Sequence, residues 1–127
     1  GAIIIGAFAS VFCFIAVGVI KPKLGYDDSL DAFGVHGIGG IWGALATGLF
    51  AQKAVNSAGY DGLFYGNPGQ FVIQLKAVAI TVVYSFIVTF VLLKLVDLIV
   101  GVRVTDEDEA IGLDLTQHNE EAYTVLE

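Results

Sequence analysis

The chain has 127 residues, of which 56% are hydrophobic and 15% charged, and its mean hydropathy is +0.78. This composition excludes an ordinary soluble domain, whose surface must be largely polar, and is typical of a protein with little mass outside a membrane. The net charge is −7, and eight of the 13 acidic residues lie in residues 104–127. A basic nucleic-acid footprint is absent, so no nucleic-acid partner is expected.

The first apolar stretch, Gly1–Ile20, is long enough to cross a bilayer as a helix. It lacks a basic n-region and is too long for the apolar part of a signal peptide, so we predict a transmembrane helix. The stretch Lys21–Gly25 follows and is predicted to end this helix, because Pro22 cannot continue it and Lys21 and Lys23 mark a membrane edge. The sequence contains no methionine, which predicts that the chain is the C-terminal portion of a longer protein.

The second span, Ala32–Ala51, has no formal charge and one ionisable side chain, His36. Asp31 immediately precedes it, with Asp27 and Asp28 nearby. An aspartate at a helix N-terminus accepts hydrogen bonds from free N–H groups and lies at the positive end of the helix dipole. We therefore expect Asp31 to be the N-cap, and its alternative role is to shape a pore mouth or to contact the tail.

His36 is a candidate functional residue because ionisable side chains inside a membrane are rare and costly. A neutral imidazole both donates and accepts hydrogen bonds. It can accept a bond from a small polar solute or relay a proton, or it can bond to a neighbouring helix in a structural role. Both interpretations stay open on the residues alone. No other metal-ligating side chain shares its helix face within the span, so a metal site is not expected.

The third span is Phe71–Val100, and its length predicts a helix that is tilted or projects beyond the bilayer. Lys21, Lys23 and Arg103 fall on one side of the membrane in this arrangement, which the positive-inside rule assigns to the cytoplasm. We therefore predict an all-α polytopic membrane helix bundle. Residues 1–103 form its transmembrane part, with helices at about 1–20, 32–51 and 71–100, and residues 104–127 form a cytoplasmic tail.

The start of the tail has the form of a helix-capping box, with Thr105 as the cap and Asp108 three residues later. A short helix should run to about Ile111 and end at Gly112. Residues 114–127 have no strong periodicity and are expected to be irregular.

Two stretches resemble the signatures of one family. DDSLDAFGVHGIGGIWGALATGLFA, from Asp27, is similar to the penultimate helix of the ammonium transporter family (Amt/Mep/Rh), and GVRVTDEDEAIGLDLTQHNEEAY, from Gly101, resembles its cytoplasmic C-terminal tail, in the form typical of the Amt branch. The resemblance covers essentially the whole chain. It implies a bundle of eleven transmembrane helices, of which this chain has the last three, assembled as a homotrimer with one pore per subunit.

By this resemblance, His36 matches the second of two paired pore histidines, whose partner lies on a helix outside this sequence. Ala32 matches a position at the cytoplasmic end of the pore. The implied function is passage of NH3/NH4+ through a hydrophobic pore in the lipid bilayer of the cell (inner or plasma) membrane, with no enzymatic reaction and no cofactor. The alternative is an ammonium sensor that uses the same bundle for signalling.

The resemblance also implies that the tail is a regulatory segment, with Arg103, Asp114 and Thr116 among its matched residues. In many relatives this cytoplasmic face binds a PII-type nitrogen signalling protein. Thr116 matches a threonine that is phosphorylated in plant relatives, but here we expect an unmodified docking residue.

Overall fold

The computed structural model describes residues 1–121, and within them it contains helices and loops but no strand. Three helices are long and apolar enough to cross a membrane, by length and composition. Two short helices follow them. The five helices are α1 (Ala2–Leu24), α2 (Phe33–Phe50), α3 (Pro68–Val100), α4 (Asp106–Ile111) and α5 (Leu113–Thr116). The predicted fold class, an all-α membrane helix bundle, is confirmed.

The chain divides into two compact units, Gly1–Val83 and the residues from Tyr84 onward. In the first unit, α1 packs against α2 around an aromatic cluster. Trp42 of α2 donates from Nε1 to the carbonyl oxygen of Ile5 at 2.8 Å, and its ring lies 5.6 Å from that of Phe8 and 5.1 Å from that of Phe12. A tryptophan N–H needs a partner in an apolar setting, so this bond fixes the ring between the two helices.

The α1 helix continues past Ile20. A π-helical turn at Ala16–Ile20 leads into a further turn, Lys21–Leu24, that contains Pro22. Proline has no N–H to donate to the preceding turn, and local widening of a helix is one way to accommodate that loss. The helix ends at Gly25, which has φ of 64° and donates its N–H to the oxygen of Lys21 at 2.9 Å. The helix therefore ends within the predicted stretch Lys21–Gly25, but it passes through Pro22, where proline was predicted to stop it.

Two glycines allow close backbone approach between α2 and the segment that follows it. A Cβ on Gly62 would lie 2.7 Å from the carbonyl oxygens of Gly48 and Leu49, and a Cβ on Gly48 would lie 3.0 Å from Cα of Phe71 at the start of α3. The loop between α2 and α3 contains a 3-10 turn, Leu63–Tyr65. Gly48 is therefore a contact point between α2 and α3.

In the second unit, the last part of α3, from Tyr84 to Val100, is followed by the start of the tail. Thr105 accepts a hydrogen bond from the N–H of Asp108 at 3.1 Å, and α4 ends at Gly112 with φ of 115°, both as the sequence predicts. Residues 113–116 were expected to be partly irregular but form the short helix α5. The last part of the predicted tail, residues 122–127, lies outside the described residues.

Candidate functional site

His36 lies in a π-helical turn, Phe33–Gly37, at the start of α2. The turn is closed by a bond from the N–H of Ile38 to the oxygen of Phe33, five residues earlier. Turns of this kind are rare in proteins, and those that occur often lie at functional sites. The imidazole of His36 is exposed on the surface of the described chain, and Ala32, one turn earlier and near the same face, is exposed as well. These two predicted site residues are therefore brought together.

The aspartates before α2 have different roles from those predicted. The carboxylate of Asp28 accepts from the N–H groups of Phe33 (3.1 Å) and Gly34 (3.3 Å), so Asp28 caps the helix. The chain enters the helix through Asp31 with φ of 55°, and the carboxylate of Asp31 contacts Lys21 instead. The prediction that the Asp31 side chain caps the helix is wrong, and the left-handed backbone at Asp31 is the local reason for the exchange.

Lys21 connects the end of α1 to the start of α2. Its ammonium group lies 2.6 Å from Oδ1 of Asp31 and 2.6 Å from the carbonyl oxygen of Asp28. From its place in the sequence, Lys21 was predicted only to mark the membrane edge. A lysine at the end of one helix, with acidic residues at the start of the next, is a signal that could have predicted this pair.

The π turn of α2 also contacts α1 directly. Gly34 is buried, and a Cβ placed on it would lie 2.6 Å from Cγ2 of Val17. The thiol of Cys13 donates to the carbonyl oxygen of Val35 at 3.4 Å. The backbone on either side of Val35 is therefore held by α1, whereas the ring of His36 stays exposed.

The three predicted tail residues lie in the second unit. Arg103 pairs with Glu109 at 3.1 Å, on the exposed face of α4. The hydroxyl of Thr116 donates to the carbonyl oxygen of Gly112 at 3.0 Å and of Asp108 at 3.4 Å. The carbonyl oxygen of Asp114 accepts from the N–H of Glu120 at 2.9 Å. Thr116 thus ties α5 to α4 within the tail.

Among the residues that the structure describes, no group of three or more His, Cys, Asp or Glu side chains is arranged to hold a metal ion. The side chains near His36 that could ligate a metal are Cys13, Asp28 and Asp31. Each of them already bonds to the backbone or to Lys21. What the arrangement offers is an exposed imidazole on an apolar helix. Such a group can exchange hydrogen bonds with a small polar solute.

Residues 1–123 match the family model described as "Ammonium Transporter Family". The chain belongs to the ammonium transporter family. The match includes both the turn that contains His36 and the described part of the tail. The resemblance inferred from the two sequence signatures is thus confirmed.

Named proteins in several organisms are similar to this ammonium transporter family member. It is 57% identical over 121 residues to "Ammonium transporter" of Bacillus subtilis, covering 95% of this chain and 30% of that protein. It is 52% identical over 125 residues to "Ammonium transporter Amt1" of Archaeoglobus fulgidus (98% and 31%), and 41% identical over 119 residues to "Ammonium transporter 1" of Dictyostelium discoideum (94% and 26%). The chain therefore spans less than a third of the length of these relatives.

Proposed function

We propose that this chain is the C-terminal portion of an ammonium transporter or channel that conducts NH3/NH4+ across a membrane. Family membership and the names of the relatives support ammonium as the substrate. The described residues contain three helices of spanning length, and the chain covers 30% of a relative. Both observations are consistent with the last three helices of a larger bundle. The relatives are named as transporters, which favours transport over an enzymatic role.

The observation that carries the proposal is His36, an ionisable side chain on an otherwise uncharged helix of spanning length. A bare ammonium ion in a hydrophobic pore is costly, so the cation transfers its proton to water at the outer mouth before NH3 passes the apolar section. NH3 then donates a hydrogen bond to the imidazole of His36, which a second histidine on another helix orients. Ala32 leaves space at the cytoplasmic end of the path, and Asp31 lies at the mouth.

We further propose that the protein is a multi-pass homotrimer of the cell (inner or plasma) membrane with a cytoplasmic C-terminal tail. Arg103, Asp114 and Thr116 then belong to a regulatory segment that couples subunits and faces a PII-type signalling protein. The support for this is the tail signature, which lies within the region matched by the family. The compact fold of residues 106–116, tied by Thr116, gives such a partner an ordered surface.

The test uses the full-length protein in proteoliposomes and measures ammonium and methylammonium currents. We expect His36→Ala to lower the ammonium rate by roughly fivefold or more, since a net hydrogen bond is worth about 1 kcal/mol. We expect His36→Asp to raise the passage of other monovalent cations, because a carboxylate in a pore lowers the barrier for cations. The matched control is His118→Ala, which removes an exposed histidine from the tail.

Unchanged rate and unchanged ion selectivity in both His36 variants would refute the pore role. A wild-type protein that carries no ammonium current, but relays an ammonium-dependent signal in cells, would support the sensor alternative instead. Deletion of residues 104–127 tests the tail: unchanged activity together with unchanged binding of a PII-type protein would remove the regulatory proposal.

A further inference from the structure

Two π-helical turns face each other in the first unit. One is Ala16–Ile20 of α1 and the other is Phe33–Gly37 of α2, which contains His36. Val17 of the first turn lies directly over Gly34 of the second. A Cβ on Gly34 would be 2.6 Å from Cγ2 of Val17, a distance that real Cβ atoms do not adopt, but 3.6 and 3.7 Å from the Val17 backbone. The conflict is therefore with one side-chain methyl group and not with the main chain.

The rest of the second turn is packed in the same way. A Cβ on Gly37 would lie 2.9 Å from the ring of Phe33, so this ring covers Gly37 from within the turn. Cys13 of α1 bonds to the carbonyl oxygen of Val35, and Asp28 caps the first two N–H groups. The residues on both sides of His36 are thus held by packing contacts and by hydrogen bonds.

The shape of the turn sets the direction of the His36 side chain. A π turn contains about one more residue than an α turn, and one residue corresponds to a rotation of roughly 100° about the helix axis. Conversion of this turn to α geometry would rotate the residues before it relative to those after it by that angle. An imidazole that serves a narrow path would be displaced by far more than the tolerance of a positioned group.

We propose that Val17 and Gly34 are positioning residues for His36. The Val17 methyl group, seated on the bare backbone of Gly34, holds the second turn in its π form and so directs the imidazole. This inference rests on the proposed pore role of His36. It predicts that the size of the side chain at position 17 and the lack of one at position 34 act together.

The test compares three variants and two controls of the full-length transporter in proteoliposomes. We expect Val17→Ala and Gly34→Ala each to lower the maximal ammonium rate by roughly tenfold or more, the scale reported for small misplacements of reacting groups. We expect the double variant to recover most of the loss of Gly34→Ala, because the new methyl group then occupies the space that Val17 leaves. The matched controls are Val19→Ala, at an exposed position of the same turn, and Gly6→Ala in α1, where the glycine has open space around it in this chain.

A second readout follows the imidazole itself. In protein labelled with ¹⁵N-histidine, the His36 signal is identified by its loss in His36→Gln. We expect this signal to shift in Val17→Ala and to stay in place in both controls, a response that a purely structural role of Val17 would not produce. Val17→Ala is the deciding variant if Gly34→Ala does not assemble.

Unchanged rate and unchanged signal in Val17→Ala would overturn the inference, as would a double variant no better than Gly34→Ala. A loss of ammonium rate in the two controls as large as that in Val17→Ala would also overturn the inference. The proposed function fails separately, through an unaltered rate and selectivity in the His36 variants. In that case a shifted His36 signal would still support the positioning contact.

Discussion

Lys21 and Asp31 join the end of α1 to the start of α2 through a contact of 2.6 Å between Nζ and Oδ1. The lysine side chain is 27% exposed and the aspartate side chain 36% exposed. An ion pair in such a setting adds little net stability, because water and salt screen it. The contact joins the two helix ends at the point where Asp31, with φ of 55°, turns the chain into the helix containing His36.

We expect Lys21→Ala to lower the thermal unfolding midpoint of the full-length protein only slightly, with a loss of about 1 kcal/mol or less. Asp31→Ala should cost more than Asp31→Asn, because asparagine tolerates the left-handed region and alanine does not. The measurement is thermal unfolding in detergent at low and high salt. Lys23→Ala, at an exposed position, is the control. Equal midpoints for Asp31→Ala and Asp31→Asn would contradict this account.

Asp28 and Asp27 form a matched pair for testing the helix cap. Asp28 accepts from two backbone N–H groups of the π turn, whereas Asp27 accepts from the Ser29 hydroxyl at 3.1 Å. Loss of an N-terminal cap costs roughly 0.5–2 kcal/mol. We therefore expect Asp28→Ala to speed amide hydrogen exchange at Phe33 and Gly34, and Asp27→Ala to leave it unchanged. The same exchange rates in both variants would assign the capping role elsewhere.

The broad organisation of the chain is predictable from the sequence because it depends on local signals. An apolar stretch of spanning length is sufficient to predict a membrane helix. The start and end of α4 follow from Thr105, Asp108 and Gly112, whose effects reach only three or four residues. The resemblance in the second span and the tail predicts the family, which the match over residues 1–123 confirms.

The details around His36 are not predictable in this way, because they depend on contacts between helices. Three aspartates precede α2, and their order along the chain does not determine which one caps the helix and which one contacts Lys21. A π turn depends on what packs against it, here Val17 on Gly34. Pro22 predicts a helix end by its own chemistry, but the preceding wide turn allows the helix to continue to Gly25.

Substitution of Thr105 tests whether its cap stabilises the helix α4. The Thr105 hydroxyl accepts from the N–H of Asp108 at 3.1 Å and donates to the carboxylate of Asp108 at 2.8 Å. We expect Thr105→Ala to destabilise α4 by about 1 kcal/mol and Thr105→Ser to keep the cap. Amide hydrogen exchange of residues 106–111 is the measurement. Equal exchange in both variants would mean that the cap does not hold this helix.

Gly48 tests the contact between α2 and α3, with Gly43 as its control. A Cβ on Gly48 would lie 3.0 Å from both Cα of Phe71 and Cγ of Gln74, whereas Gly43 has open space around it in this chain. Alanine in an open helix position adds about 1 kcal/mol of helix propensity. We therefore expect Gly43→Ala to maintain or raise the thermal midpoint of the full-length protein and Gly48→Ala to lower it. A second change, Gln74→Ala, should not restore Gly48→Ala, because the backbone of Phe71 cannot be removed. Full recovery in that double variant would show that the Gln74 side chain alone sets the spacing.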